Sequence, residues 1–175
     1  AMPRADEWLG MVGLPIEYAF DVVFADLDAE QRRHVQARCV EEEEAALRAG
    51  GAALMPGARE TLSRLRERGV KLGIASNCAQ SYLDTMLREL KLGELADEAR
   101  CLDSRGVRTK GDMLRDLLGA FGTRAAVMVG DRATDAQAAH ANALPHVHLE
   151  QGFAPAGELV EADPRVAAGN AVDLD

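Results

Sequence analysis

The stretch from Ala125 to Asp135, Ala-Ala-Val-Met-Val-Gly-Asp-Arg-Ala-Thr-Asp, constrains the fold more than any other part of the chain. Ala126 to Val129 is a short apolar run of the kind that forms a strand covered on both faces. Gly130 ends the run and permits a sharp turn. Ala133 to Ala141 is rich in alanine and predicts a helix. In parallel α/β sheets ligands bind at the carboxyl ends of the strands. Asp131 stands at such an end, and Asp135 falls in the first turn of the helix. The pair has two readings. Two carboxylates suit a hard divalent cation such as Mg²⁺, which takes oxygen ligands and keeps several waters. Alternatively, Asp131 caps the helix and Asp135 complements its positive end.

The remaining pattern places this unit within a larger one. Ala58, Thr61, Leu62 and Leu65 mark a helix ending at Gly69, and Val70 to Ala75 is a strand stopping at Ser76-Asn77. Tyr82, Leu83, Met86, Leu87 and Leu90 mark the next helix, and Ala99 to Leu102 a weaker strand. Met113, Leu114, Leu117, Leu118 and Phe121 mark another helix, and His146 to Leu149 a last clear strand. Strands alternating with helices from residue 58 onward predict an α/β fold with a Rossmann-like parallel sheet. A short helix near Ala156 to Glu161 and a brief strand near Val166 complete the pattern. Residues 1–53 differ: they predict a short helix from Leu14-Pro15 through about Phe20 and a long one from Ala29 to Ala49. Glu41 to Glu44 point around that long helix, as a solvated face does.

Charge and cysteine usage narrow the function. A formal net charge of -9 over 175 residues argues against broad contact with nucleic acid or anionic lipid, which need a basic face. No apolar run reaches membrane-spanning length, and nothing at the start reads as a signal peptide. Ala1 before Met2 reads as a cloning remnant. Cys39, Cys78 and Cys101 have no metal-ligand spacing and no even count for a disulfide framework, so a reducing, cytoplasmic setting is expected. Cys78 reads as a packed residue rather than a reactive thiol. His146 and His148 alternate on one strand, and with no third ligand in view they read as surface residues.

Three features gather at the predicted ligand edge. Ser76-Asn77 follows a strand and offers a hydroxyl and backbone amides to an oxyanion, or starts the next helix. Lys110 stands just before the helix from Gly111 and would neutralise a phosphate or carboxylate. Asp131 and Asp135 complete the set. In this order the residues Leu72-Gly-Ile-Ala-Ser-Asn77, Lys110 and Val129-Gly-Asp-Arg-Ala-Thr-Asp135 resemble the haloacid dehalogenase-like hydrolase superfamily. Met55-Pro-Gly-Ala-Arg-Glu-Thr-Leu62 is similar to that family's passage from cap to core. Gly-Asp-Arg-Ala-Thr-Asp is similar to the form found in phosphatases, and the helices before Met55 look like part of the α-helical cap of phosphoglycolate phosphatase-like members. The resemblance implies a partial cap over residues 1–53 and an α/β core over 54–175. It implies a Mg²⁺-dependent phosphatase acting on a small phosphorylated metabolite. In that chemistry Ser76 and Asn77 bind phosphoryl oxygens, Lys110 neutralises charge, Asp131 binds Mg²⁺ and Asp135 assists it.

The same resemblance implies a first motif, Asp-x-Asp after an apolar strand, ahead of the cap. Asp26 and Asp28 have that spacing, but Glu30 stands where Thr or Val belongs, and Asp28 makes a good helix cap. The chain is therefore expected to lack the nucleophile and the first core strand, as a truncated or inactive form would. Unpaired strand edges would then favour a homodimer. The alternative is a non-catalytic protein that binds a phosphometabolite or a partner. A generic nucleotide binder fits less well, because no Gly-x-Gly-x-x-Gly follows a strand.

Overall fold

The computed structural model describes residues 4–158. The predicted strand near Val166 and the end of the predicted helix beyond 158 lie outside the described residues. Three helices come first: α1 (Ala5–Leu9), α2 (Ile16–Val23) and α3 (Ala29–Arg48). After α4 (Ala58–Glu67), strands and helices alternate: β1 (Gly73–Ser76), α5 (Gln80–Glu89), a single 3-10 turn (Leu92–Glu94), β2 (Glu98–Cys101), α6 (Lys110–Phe121), β3 (Met128–Gly130), α7 (Ala133–Ala141) and β4 (His146–His148). This is the α/β order that the periodicity predicts, with α7 at the expected residues.

The strands form two parallel pairs. β1 runs beside β2 with Gly73 opposite Glu98 and Ser76 opposite Cys101, and β3 beside β4 with Met128 opposite His146 and Gly130 opposite His148. Both pairs rest on one helical layer. Leu114 and Leu117 of α6 and Ala138 and Ala139 of α7 are buried together with Leu144, and Ala75 of β1 and Met128 of β3 pack onto them. Alanines on the inner side of α7 let the helix approach the strands closely, since a methyl group leaves little bulk between backbones.

Three expectations are corrected here. Val70 to Leu72 is not strand: Val70 N–H bonds back to Leu65 O, and Leu72 N–H donates to the Asp97 carboxylate at 2.7 Å. The β3 strand is not covered on both faces, because α6 and α7 cover only the side that holds Met128, and Val129 stays 52% exposed. His146 and His148 are partly buried rather than surface residues, their rings 6.2 Å apart beside α7.

The N-terminal helices are tied down by an aromatic cluster. Trp8 meets Phe20 edge-on at 5.3 Å and Phe24 at 6.1 Å, and Phe20 is 2% exposed. The α3 helix then packs along α5. Asp28 starts α3, accepting from Glu30 N–H and Gln31 N–H at 2.9 and 2.8 Å, while Gln31 returns a bond to Asp28 N–H. That reciprocal box satisfies amides no intrahelical carbonyl can reach. Arg38 holds Glu41 and Glu42, and Arg48 holds Glu44; Glu41 to Glu43 form the expected solvated face, whereas the Glu44 side chain is 13% exposed.

Candidate functional site

The site residues are positioned by helix starts that the sequence builds locally. Thr109 caps α6: its hydroxyl accepts Asp112 N–H, and the Asp112 carboxylate accepts Thr109 N–H, both at 3.1 Å. Arg115 beside Asp112 holds that carboxyl below its usual range, with the Thr109 hydroxyl adding to the effect. The cap makes Lys110 the first helical residue rather than the residue before the helix. Its side chain reaches α7, where Nζ lies 2.6 Å from Asp135 Oδ1. Both side chains are nearly buried, at 11% and 5% exposure.

Asp135 is engaged on its other oxygen too. Oδ2 accepts Arg132 N–H at 3.0 Å, which ties the start of α7 to the end of β3. The carboxyl group packs so tightly on Gly130 that any Cβ there would collide with it. Asp135 is thus a helix-start acceptor, as the second reading of its position expects, and in addition the ion-pair partner of Lys110. Asp131 does not cap the helix; that position belongs to Arg132. Instead, Asp131 Oδ2 accepts Phe153 N–H at 2.6 Å, and Gly152 lies close enough against its side chain that a Cβ would not fit.

On the other strand pair, Ser76 is the last residue of β1 and Asn77 is 8% exposed. Neither starts α5, whose cap position is Ala79, with Gln80 N–H held by Asp103 at 2.8 Å. Asn77 Nδ2 instead donates to Gly13 O at 2.9 Å. Ser76 hydrogen-bonds Cys78, but burial dominates and pushes that thiol above its usual range, as suits a packed residue. Burial likewise pushes His146 below the usual imidazole value, and its Nε2 has no partner.

The structure brings Asn77 and Lys110 onto the wall of one cavity of about 300 Å³, with Thr134 and Gln137 of α7 opposite. Ser76 and Asp131 stand outside that wall. Asp28, the candidate nucleophile-motif residue, serves as the α3 cap, and Asp26 is exposed in the turn before it. Among the described residues no three His, Cys, Asp or Glu side chains group closely enough to enclose a metal. Mg²⁺ needs only one or two protein carboxylates besides water and substrate oxygens. Among the described residues Asp131 is the acid of the pair that no cation holds, and it meets that requirement in part.

One residue that sequence reasoning missed is Arg132. It is 3% exposed, and its guanidinium binds Glu158 at 3.0 and 2.8 Å and donates to Gly10 O and Val12 O. Glu158 also accepts Ala133 N–H at 2.8 Å. Arg132 therefore clamps residues 10–13 against the β3–α7 turn. Its three partners, Gly10, Val12 and Glu158, lie far away in sequence, and no local spacing announces them.

Comparison with known proteins gives a consistent result. Residues 7–142 match the protein-family model described as haloacid dehalogenase-like hydrolase. A phosphoglycolate phosphatase from Rhodospirillum rubrum is 33% identical over 106 residues, which cover 59% of this chain and 44% of that protein. The match thus spans less than half the length of that relative. Among solved structures, a predicted phosphoglycolate phosphatase from Haemophilus somnus superposes with a TM-score of 0.80 at 20% identity, covering 94% of this chain and 78% of its own. A haloacid dehalogenase-like family hydrolase from Streptococcus pneumoniae gives 0.77 at 19% identity, with 96% and 82% covered. At these identities the two structures show the fold.

Proposed function

The chain belongs to the haloacid dehalogenase-like hydrolase family, and from that membership we propose that its site binds the phosphate of a small phosphorylated metabolite together with Mg²⁺. The observation that carries this reading is the nearly buried Lys110–Asp135 pair, whose lysine shares the wall of one cavity with Asn77. Lys110 spends one N–H on Asp135 and keeps two for phosphoryl oxygens. Asn77, on the cavity wall, gives one amide N–H to Gly13 O and keeps the other for the phosphate, while the Ser76 hydroxyl, outside the wall at the end of β1, is the further donor the family resemblance implies. Asp135 holds Lys110 in place. Asp131 is the carboxylate for Mg²⁺, which family members generally use. Bound there, the ion would neutralise charge on the phosphoryl oxygens, the main need of phosphoryl transfer. The name of the Rhodospirillum rubrum relative makes a short phosphorylated acid a reasonable substrate to try first.

We further propose that residues 1–53 form part of a helical cap and that the core over 54–175 is without its first strand. On this reading no residue of the present sequence acts as the carboxylate nucleophile: Asp26, which would hold that position, is exposed in the turn before α3, and Asp28, which would be the general acid, is occupied as a helix cap. Turnover of p-nitrophenyl phosphate with Mg²⁺ is expected at background level. A rate above background that falls in both Asp131→Asn and Asp26→Asn would contradict this and make Asp26 part of the first motif.

A second reading, a non-catalytic binding protein, is favoured by one observation. Each parallel pair has only two strands, so each strand has an edge without a described strand partner. Such edges invite pairing with another chain. Light scattering is expected to report a dimer or larger species. A monomer at all concentrations would count against pairing through the edges.

A further inference from the structure

We propose that His146 and His148 form a proton-operated latch: when the His146 ring becomes charged, the strand β4 lets go of β3 and α7, and residues 149–153 release Asp131. The latch is a property of the fold and stands apart from the phosphate reading above. The two histidines occupy alternate positions of β4, opposite Met128 and Gly130 of β3, with their rings 6.2 Å apart. Both residues are partly buried, and His146 Nε2 and His148 Nδ1 are shut off from solvent without a hydrogen-bond partner in the protein.

Three features make the pair sensitive to acid. First, a charged imidazole carries an N–H on both ring nitrogens. On His146 one of them is the enclosed Nε2, and a buried donor without an acceptor is costly. Second, the one acid at hand is already engaged. The elements packed against β4 are β3 and α7. β3 carries no charged residue, and α7 carries Asp135 and His140. Asp135 favours the charged ring, but it holds Lys110 Nζ at 2.6 Å and Arg132 N–H at 3.0 Å. Glu150, just past β4, is exposed. Third, the other neighbours are imidazoles. His148 on the same strand and His140 in the last turn of α7 both oppose a charge on His146. Burial is the largest influence on that ring and holds it below the ordinary imidazole value, against the pull of Asp135 and the Gly130 backbone.

What the latch holds is defined by two hydrogen bonds. Among the described strands β4 pairs with β3 alone. Leu149 N–H bonds Gly130 O at 3.0 Å, and Phe153 N–H bonds Asp131 Oδ2 at 2.6 Å, so the chain past β4 grips the turn that ends β3. A charged His146 gains water by leaving α7, and β4 with those two bonds follows it. The open form binds more protons than the closed one. The stabilisation is therefore fully present above about pH 6.5 and is lost as pH falls below it. One pH unit below that value multiplies the open population about tenfold, provided the closed form keeps the ring neutral.

Amide exchange, corrected for the intrinsic rate at each pH, tests this at Leu149 and Phe153. Between pH 7.5 and 5.5 their protection in the wild-type chain is expected to fall about tenfold, while that of α6 holds. His146→Leu and His146→Asn, neither able to charge, are expected to keep their protection over the same range. A wild-type change below about twofold would overturn the latch. An equal fall in the wild type and both variants would overturn it too, as would an equal fall in α6, which is acid loosening of the whole fold. If neither variant folds, NMR titration of the wild-type ring decides. A His146 midpoint below 6.5 alongside the local loss of protection supports the latch, and a midpoint at or above 6.5 overturns it.

Discussion

Replacing Lys110 with methionine is expected to destabilise the fold by about 3–5 kcal/mol, the cost of leaving one member of a buried ion pair uncompensated. Asp135 is 5% exposed, and besides Lys110 Nζ its described donor is the Arg132 backbone N–H. The Arg132 guanidinium cannot take over, because it is committed to Glu158 and two carbonyls on the far side. The variant should therefore hold a buried acid without its cation, and the water it draws in loosens the start of α7. The double variant Lys110→Met/Asp135→Leu should recover a large part of the loss, since an apolar pair of similar volume often matches a buried ion pair. Denaturant titration of the four species gives the coupling directly. A loss below about 1 kcal/mol in Lys110→Met, typical of an exposed pair, would show that the pair is solvated in solution.

Arg132→Met should be the next most damaging change. The guanidinium satisfies Gly10 O, Val12 O and the mostly buried Glu158, and its removal orphans the two carbonyls and leaves Glu158 with only the Ala133 amide. Each unsatisfied buried group costs about 1–3 kcal/mol, so a total of about 3 kcal/mol is expected after partial relaxation toward water. The effect has a location as well as a size. Residues 10–13 are held to the β3–α7 turn by this side chain, and Asn77 grips only Gly13. Amide exchange at 10–14 should accelerate far more than exchange in α6 or α7, because local opening follows the loss of the local tie. Uniform acceleration throughout would mean that Arg132 supports the whole fold rather than the strap.

How much of this was legible in sequence depends on the range of the interaction. The start of α3 was readable because Asp28 and Gln31 act within one turn, and α7 because alanine-rich sequence between a glycine turn and Asn142 has few alternatives. The Thr109–Asp112 box is equally local, and missing it misplaced Lys110 by one position. Motif order carried the family, since Ser76, Lys110 and Asp131 follow strands or open helices wherever the chain folds as β–α units. Long-range partners carried the errors. Leu72 looks like strand until Asp97 claims its amide, and Val129 looks buried until only one face of β3 is found covered. His146 and His148 read as surface residues because nothing near them in sequence reveals α7 beside their rings. Arg132 sits inside the stretch that most constrains the fold, yet its role depends on Gly10, Val12 and Glu158.

The central claim is a Mg²⁺-assisted phosphate site in which Asp131 carries the metal, and binding linkage tests it most directly. Inorganic phosphate is titrated into the chain by calorimetry with Mg²⁺ and then with EDTA. Phosphate affinity should rise at least about fivefold with Mg²⁺ in the wild type, the lower end of ordinary coupling between sites. That gain should vanish in Asp131→Asn, while Mg²⁺-free binding is retained. Phosphate binding that ignores Mg²⁺, or a Mg²⁺ gain that survives Asp131→Asn, would contradict the assignment.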